Sequence, residues 1–212
     1  MSKDLRYYYL QQLGIQCWVK RHSSVKKFSL QLLNQQVEQC TKCPLHAARK
    51  QAVFARGNMN ADLMVIGEAP GYHEDALGLP FVGKAGSLLN RMLASIGIDN
   101  NDVYVANVLK CRPPDNRDPQ LEEINECIGY LRQQIALVRP KLILAVGRFA
   151  AQNLLHSRLS LSQLRNIIHN YEQIPLVVSY HPAYLLRKPT DKKKAYTDLL
   201  AVKDILNKYH EA

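Results

Sequence analysis

The sequence lacks the long apolar runs and the leader pattern that membrane and secreted proteins carry. No hydrophobic stretch in its 212 residues reaches the roughly 20 residues that cross a bilayer. Met1 to Asp4 lead into no signal-peptide pattern. These absences disfavour membrane and secreted proteins, so we expect a cytoplasmic protein with no membrane partner. We also expect it to act as a monomer.

Cysteine is scarce as well, with five in the chain. A disulfide framework is typical of short secreted chains, so the thiols of a cytosolic protein are either metal ligands or buried apolar side chains. Cys40 and Cys43 form a Cys-x-x-Cys pair, and 15 residues separate Cys111 from Cys127. Cys17 lies in an apolar patch, and we interpret it as a packing residue. Four thiolates suit a zinc ion or a four-iron cluster, and their spacing does not choose between these.

Acidic residues are outnumbered by basic ones. The chain has 18 Asp and Glu against 28 Lys and Arg, a formal net charge of +10. This excess favours a polyanionic partner such as nucleic acid, because Lys and Arg neutralise phosphates. A basic protein without such a partner is the alternative.

Apolar segments of strand length alternate with amphipathic helical patterns along most of the chain. The predicted strands are residues 61–66, 103–108 and 141–146, with up to two more within 167–179. This alternation predicts an α/β fold, a three-layer α/β/α sandwich around a central, mostly parallel four-stranded sheet. We divide the chain into a basic N-terminal extension, residues 1–37, and one domain, residues 38–212.

The first strand ends in a glycine-flanked turn, Gly67 to Asp75, which carries Glu68 and Glu74. At the carboxyl end of a strand in an open α/β sheet, such a turn presents acidic side chains and backbone N–H groups to a cleft. On its own, however, a Gly-Glu-Ala-Pro-Gly sequence is a weak signal, because most Gly-Pro turns are only turns. The turn therefore does not identify a site without other residues.

Seven segments together resemble the family 4 uracil-DNA glycosylases, the iron–sulfur members of their superfamily. They are CTKC (40–43), GEAPGYHED (67–75), LPFVGKAGSLLNRML (79–93), NVLKCRPPDNRDP (107–119), Cys127, LAVGRFAAQ (144–152) and HPAYLLR (181–187). The resemblance covers about residues 38 to 208. It implies hydrolysis of the N-glycosidic bond of uracil in DNA. It also implies a [4Fe-4S] cluster held by Cys40, Cys43, Cys111 and Cys127.

The resemblance implies a pocket for a uracil that has been flipped out of the DNA, since a base inside a duplex cannot be reached. Phe81 would stack on the base. Asn107 would read its Watson–Crick edge, because a side-chain amide presents both a donor and an acceptor. His181 would donate to uracil O2 as negative charge builds on the departing base. Ala69 and Gly71 complete the expected substrate-binding residues.

Glu68 and Glu74 match the two acidic positions of the family. A carboxylate near C1′ of the sugar can orient a water molecule and favour an oxocarbenium-like transition state. Which of the two dominates stays open at this point. Asn116 is a further candidate for positioning the water, so the expected catalytic residues are Glu68, Glu74, His181 and Asn116.

A DNA-binding face follows from the same resemblance. Basic residues on loops beside the cleft would contact phosphates. Tyr184, Leu185 and Leu186 would fill the gap left by the flipped base. The expected DNA-binding residues are Lys84, Lys110, Arg112, Arg117, Tyr184, Leu185 and Arg187.

The sequence therefore allows three hypotheses about the function of this chain. The leading hypothesis is a uracil-DNA glycosylase of base excision repair whose cluster is structural. The alternative is a non-catalytic iron–sulfur DNA-binding module of the same fold, because Tyr72 and His73 replace an acidic pair of the family pattern. The third is a zinc protein with the same four thiolate ligands.

Overall fold

A computed structural model describes the backbone of residues 23–211 and the side chains of residues 29–209. The packing role predicted for Cys17 lies outside the described residues, as does most of the predicted N-terminal extension. No helix in the described part of the chain is long and apolar enough to cross a membrane.

The described residues contain one six-stranded sheet. Its strands are β1 (Arg56–Gly57), β2 (Leu63–Gly67), β3 (Val103–Asn107), β4 (Leu142–Val146), β5 (His169–Tyr171) and β6 (Ile174–Ser179). Their order is β1-β3-β2-β4-β6-β5. The four inner strands pair in parallel, which confirms the predicted mostly parallel centre.

Each edge of the sheet carries one short antiparallel strand. β1 was not predicted, whereas β5 and β6 are the two strands predicted within 167–179. β1 has two residues, too few to show an alternating pattern. β5 joins β6 through Glu172 and Gln173, which both have positive φ (47° and 72°). Positive φ at both loop residues is typical of a tight hairpin turn whose twist matches that of the strands.

Helices cover both faces of the sheet. They are α1 (Ser23–Glu38), α2 (Leu45–Ala48), α3 (Tyr72–Leu77), α4 (Lys84–Ala94), α5 (Leu121–Val138), α6 (Arg148–Leu155), α7 (Leu161–Leu164), α8 (Pro182–Arg187) and α9 (Lys192–Glu211). Short 3₁₀ turns lie at Pro114–Asn116 and Pro189–Asp191.

β2 shows why the sheet needs a layer on each side. All five of its residues are buried, and alternate side chains point to opposite faces. Met64 and Ile66 pack in one core with α5 and α6. Leu63 and Val65 pack in another core with α4 and α9. The three-layer α/β/α sandwich is therefore confirmed.

Helix α1 packs against the domain although it lies before the predicted boundary at residue 38. Leu33 and Val37 are buried in a third cluster, which includes Leu45 and the two buried cysteines Cys111 and Cys127. The boundary itself stays a prediction, and the described part of α1 is an integral part of this cluster.

The order of the strands creates a crevice at one edge of the sheet. β2 lies between β3 and β4 and pairs in parallel with both. The carboxyl ends of parallel strands meet at one edge, and ligands of open α/β sheets bind where the connections diverge. The turn after Gly67 opens at this edge.

A buried ion pair joins α9 to the sheet. Arg165 donates to both carboxylate oxygens of Asp198 at 2.8 Å, and the Ser179 hydroxyl donates to Asp198 Oδ2 at 2.7 Å. Both charged side chains are less than a tenth exposed. Removing one partner would leave the other charge buried and uncompensated.

We predict that Asp198→Ala lowers the free energy of unfolding by about 3 to 5 kcal/mol, measured by urea denaturation. Asp118→Ala is the matched control, because the Asp118–Arg148 pair is exposed and its N···O distance is 3.8 Å. The control should leave stability unchanged. Equal, small effects of the two substitutions would contradict this assignment.

Candidate active site

A cleft of about 330 Å³ opens at the carboxyl ends of the parallel strands. It is lined by Glu68, Ala69, Pro70, Gly71, Glu74, Phe81, Ala85, Asn107, Pro113, Asn116, Arg117, His181, Ala183 and Arg187. All the residues predicted to be catalytic or to bind substrate are among them. The structure thus brings these residues together, and their individual roles stay predictions.

Gly67, the last residue of β2, allows the floor of the cleft to form. It pairs with Asn107, the last residue of β3, in the parallel ladder. A Cβ atom at this position would lie 2.4 Å from Asn107 Oδ1 and 2.7 Å from Phe81 Cζ. Because such distances are shorter than van der Waals contact, only glycine leaves room for both side chains.

Asn107 carries an unpaired acceptor. The residue is 2% exposed, and its Oδ1 atom is the buried side-chain polar atom that has no hydrogen-bond partner among the described residues. Leaving a buried acceptor unpaired costs about 1 to 3 kcal/mol. An orphaned acceptor that lines a cleft is suited to a ligand that brings its own donor.

Phe81 is held rigidly beside Asn107. Its φ of 55° is uncommon for a residue with a side chain. A Cβ atom on Gly86 would lie 1.7 Å from the Phe81 carbonyl oxygen, so the glycine lets α4 approach the Phe81 backbone. The Phe81 ring is 5.7 Å from the His181 ring, centroid to centroid.

The two carboxylates of the turn have different environments. Glu74 Oε1 accepts hydrogen bonds from the backbone N–H groups of Val82 (2.9 Å) and Gly83 (3.1 Å), so it braces the loop that carries Phe81. No hydrogen bond of the Glu68 carboxylate occurs within the described residues. Burial raises the pKa of Glu68, the charge of Asp118 adds to this rise, and Arg148 opposes it.

His181 is fixed as a neutral donor. Its Nδ1 atom accepts a hydrogen bond from the backbone N–H of Ala183 at 3.2 Å, which caps α8. Nδ1 is therefore unprotonated, and the proton of the neutral ring is on Nε2. Burial lowers the pKa of His181 to about 4, and Arg187 lowers it further while Glu74 opposes the shift.

Asn116 lies on a strained turn at the mouth of the cleft. Its φ is 54°, and Asp115 before it also has φ of 54°. Arg112 Nε donates to Asn116 Oδ1 at 2.9 Å. The amide oxygen is thus engaged, which leaves the amide N–H groups of Asn116 as the free donors at this position.

Two predicted DNA contacts are wrong because the side chains are buried. Lys110 is 1% exposed, and its Nζ donates to the backbone oxygen of Asn107 and to Gln134. Leu185 is 0% exposed and packs in the core with α9. Neither side chain can reach DNA, whereas the neighbouring Leu186 is 40% exposed.

The other basic residues predicted to contact DNA lie around the cleft. Arg187 is exposed and lines it. Arg117 also lines it, although its guanidinium pairs with Glu123 at 2.6 Å. Lys84 is exposed at the start of α4. These contacts stay predictions.

Tyr184 is oriented by two contacts next to the cleft. Its hydroxyl donates to Asp191 Oδ2 at 2.6 Å. Its ring stacks on Tyr180 at 5.2 Å. The side chain is therefore less free to insert into DNA than its sequence position indicated.

A buried polar network behind the cleft was missed by sequence reasoning. Lys110 Nζ donates to Asn107 O at 2.7 Å and to Gln134 Oε1 at 2.5 Å, and Gln134 in turn donates to Tyr104 and to the Phe54 backbone. Burial lowers the pKa of Lys110 to about 8, and the nearby thiols oppose the shift. The feature of the sequence that indicates this network is a glutamine, Gln134, among the buried residues of α5.

The four cysteines predicted to bind a metal group line one small cavity. Arg49 Nη1 donates to Cys111 Sγ at 3.1 Å, and the Lys110 backbone N–H donates to Cys127 Sγ at 3.2 Å. Burial raises the pKa of Cys127 to about 11, and the charge of Lys110 opposes this rise. A bound cationic metal group would displace the thiol protons and leave thiolates. The four cysteines and the N–H donors that reach their sulfur atoms therefore fit such a group.

No three Cys, His, Asp or Glu side chains within residues 29–209 are grouped closely enough to hold a single metal ion. The four cysteines instead line the cavity described above. Arg49, which follows α2, was not predicted as part of this site, and no sequence pattern marked it.

The fold and cleft have known counterparts. A family model described as the uracil DNA glycosylase superfamily matches residues 54–201, from the strand-β1 region into α9. This match defines the class of the protein, an α/β member of that superfamily.

Curated relatives refine the class. A type-4 uracil-DNA glycosylase from Pyrobaculum aerophilum is 41% identical over 80% of this chain and 91% of that protein. Those from Archaeoglobus fulgidus and Thermotoga maritima are 40% and 38% identical, over 85% and 77% of this chain and 94% and 86% of those proteins. The chain belongs to the type-4 uracil-DNA glycosylase family.

We predict that His181 stays neutral at physiological pH and titrates near pH 4, as followed by NMR of histidine ring nitrogens, with His181→Asn to assign the signal. Because its folded pKa lies below the ordinary 6.5, protons favour the unfolded chain. Stability should therefore fall as pH drops from 6.5 towards 4 and show no contribution from this group above 6.5. A midpoint near 6.5, or a proton on Nδ1, would contradict the assignment.

Proposed function

We propose that this chain is a uracil-DNA glycosylase that hydrolyses the N-glycosidic bond of deoxyuridine flipped out of DNA, the first step of base excision repair. The observation that carries this proposal is the unpaired Oδ1 acceptor of Asn107 in a cleft shared with Phe81 and His181. Membership of the type-4 family supports it.

Base recognition follows from the amide of Asn107. Its Oδ1 would accept from uracil N3–H, and its amide N–H would donate to uracil O4. Cytosine presents the reversed pattern, an acceptor at N3 and a donor at C4, so it would leave buried groups unpaired. Phe81 would provide the ring against which the base stacks.

Departure of the base requires stabilisation of negative charge. With Nδ1 of His181 occupied by the Ala183 N–H, the Nε2–H group is the available donor. It would donate to uracil O2 as charge develops there, which a neutral imidazole can do. The low pKa of His181 keeps this donor in one form over the physiological range.

We assign the water-orienting role to Glu68 and a positioning role to Glu74. Glu74 already braces the Phe81 loop through two backbone N–H groups. Glu68 has no such bracing contacts within the described part of the chain, and its raised pKa makes it a better proton acceptor than an ordinary glutamate. Asn116 would contribute an N–H group to the same water.

We further propose that Cys40, Cys43, Cys111 and Cys127 hold a [4Fe-4S] cluster. When bound, the cluster would supply a cross-link between the segment joining α1 to α2, the loop after β3, and α5. The four thiols share one cavity and receive donors from Arg49 and the Lys110 backbone. The other parts of the proposal are uracil-containing DNA as partner, a monomeric state and a cytoplasmic location.

We predict that cluster-loaded protein releases uracil from a uracil-containing oligonucleotide, seen as strand cleavage after alkali. Glu68→Gln should lower the single-turnover rate by about 10²- to 10⁴-fold, because it removes a general base, and leave thermal stability unchanged. Glu74→Ala should lower stability by about 1 to 3 kcal/mol, because it leaves two backbone donors unpaired.

DNA binding by the wild type without uracil release would reject the enzyme and favour the non-catalytic module. Wild-type turnover by Glu68→Gln would reject the division of roles between the carboxylates. Both outcomes are read from the same oligonucleotide, with the binding affinity and the cleaved fraction measured separately.

We predict roughly four iron and four acid-labile sulfide per chain in anaerobically purified protein. Cys127→Ser should lose iron and lower the melting temperature, because it removes a cross-link between α5 and the neighbouring segments. Cys17→Ser, the matched control, should keep its iron and sulfide. Zinc without iron and sulfide would contradict the cofactor assignment and support the zinc alternative.

A further inference from the structure

Tyr72 is an exposed aromatic residue at the mouth of the cleft. It is the first residue of α3 and follows Gly71, which lines the cleft. Its exposure is 56%, greater than that of Tyr196 (44%) and Tyr209 (43%). Burial in a core therefore does not account for an aromatic ring at this position.

Two cations lie over the Tyr72 ring. The Arg112 guanidinium carbon is 5.3 Å from the ring centroid, and Lys50 Nζ is 5.5 Å from it. Both distances are within the range of cation–π attraction, about 6 Å. The three residues come from separate segments of the chain, so the tertiary fold places this cluster together.

Two hydrogen bonds hold members of the cluster beside the cleft. The Lys50 backbone N–H donates to Asp75 Oδ1 at 3.0 Å, and Asp75 lies in α3 with Tyr72. Arg112 Nε donates to the cleft residue Asn116 at 2.9 Å. The cluster thus keeps a fixed position relative to the place where a flipped nucleotide would enter.

An exposed aromatic ring beside basic side chains is the arrangement that proteins use to bind single-stranded nucleic acid. A base stacks on the ring while the cations contact neighbouring phosphates. Lys50 is exposed, and its ammonium group lies over the ring. A base could take that face of the ring while the ammonium moves to a phosphate. In an intact duplex the bases stack on each other and offer no free face.

We propose that Tyr72, Lys50 and Arg112 form a stacking subsite for an unpaired base next to the nucleotide in the cleft. The subsite gives this chain a preference for single-stranded DNA. The inference rests on the proposed function for the identity of the nucleotide in the cleft, and the binding of a neighbouring unpaired base can be measured without any uracil.

The test is fluorescence anisotropy with a uracil-free single-stranded oligonucleotide and with a blunt duplex of the same sequence. Tyr72→Ala and Tyr72→Leu should weaken single-strand binding by about 5- to 100-fold, because a stacking face is lost. Tyr72→Trp should retain it, and duplex binding should not change. Tyr196→Ala, another exposed tyrosine, is the matched control and should bind as the wild type does.

Wild-type single-strand affinity in both Tyr72→Ala and Tyr72→Leu would overturn the subsite, as would an equal loss on the duplex. So would a loss in Tyr72→Trp as large as that in Tyr72→Ala. If the wild type releases no uracil but Tyr72→Ala still loses single-strand binding, the proposed function fails and the subsite stands. If uracil is released and KM for a single-stranded substrate is the same in Tyr72→Ala, the function stands and the subsite fails.

Discussion

The close approach of β2 and β3 at their carboxyl ends is the constraint on which the candidate site depends. Gly67 and Asn107 are paired at the last rung of the ladder. The absence of a side chain on Gly67 lets the Asn107 amide and the Phe81 ring meet above it. This arrangement leaves the buried Oδ1 acceptor of Asn107 without a partner among the described residues. The proposed substrate recognition uses this atom, because a ligand that supplies the missing donor would remove that penalty.

The floor of the cleft and the cysteine cavity belong to one connected region. Lys110 holds the Asn107 carbonyl with its side chain, and its backbone N–H donates to Cys127 Sγ. Gln134 completes the network from α5. The region that would hold the cluster therefore also supports the end of β3. Through this link, the proposed cluster would stabilise the end of β3 without taking part in the chemistry of the cleft.

Much of the fold could be predicted from the sequence because the inner strands are buried on both faces and appear as continuous apolar runs. The edge strand β1 could not, since it has only two residues, whereas β5 and β6 both lie within the predicted segment 167–179. Lys110 appeared to be a surface cation because charged residues in polar loops usually are. Its burial depends on Gln134, which lies 24 residues further along the chain. Leu185 was wrongly predicted to be exposed, because α8 buries this leucine and exposes the next one, Leu186.

The roles of Glu68 and Glu74 show a further limit of the sequence. Both acids lie in one turn, and only their hydrogen bonds separate them. Glu74 is engaged by Val82 and Gly83, whereas Glu68 is desolvated without a hydrogen bond among the described residues. A difference of this kind depends on how the loop after α3 folds back, which no local pattern encodes.

The central claim is that the orphaned Oδ1 of Asn107 accepts the N3–H group of uracil. Single-turnover excision from oligonucleotides that contain deoxyuridine or 3-methyldeoxyuridine tests it most directly. The account predicts that the methyl group, which removes this donor, slows excision by about tenfold or more in the wild type. It also predicts that the two substrates converge in Asn107→Ala. Equal excision of both substrates by the wild type would contradict the account.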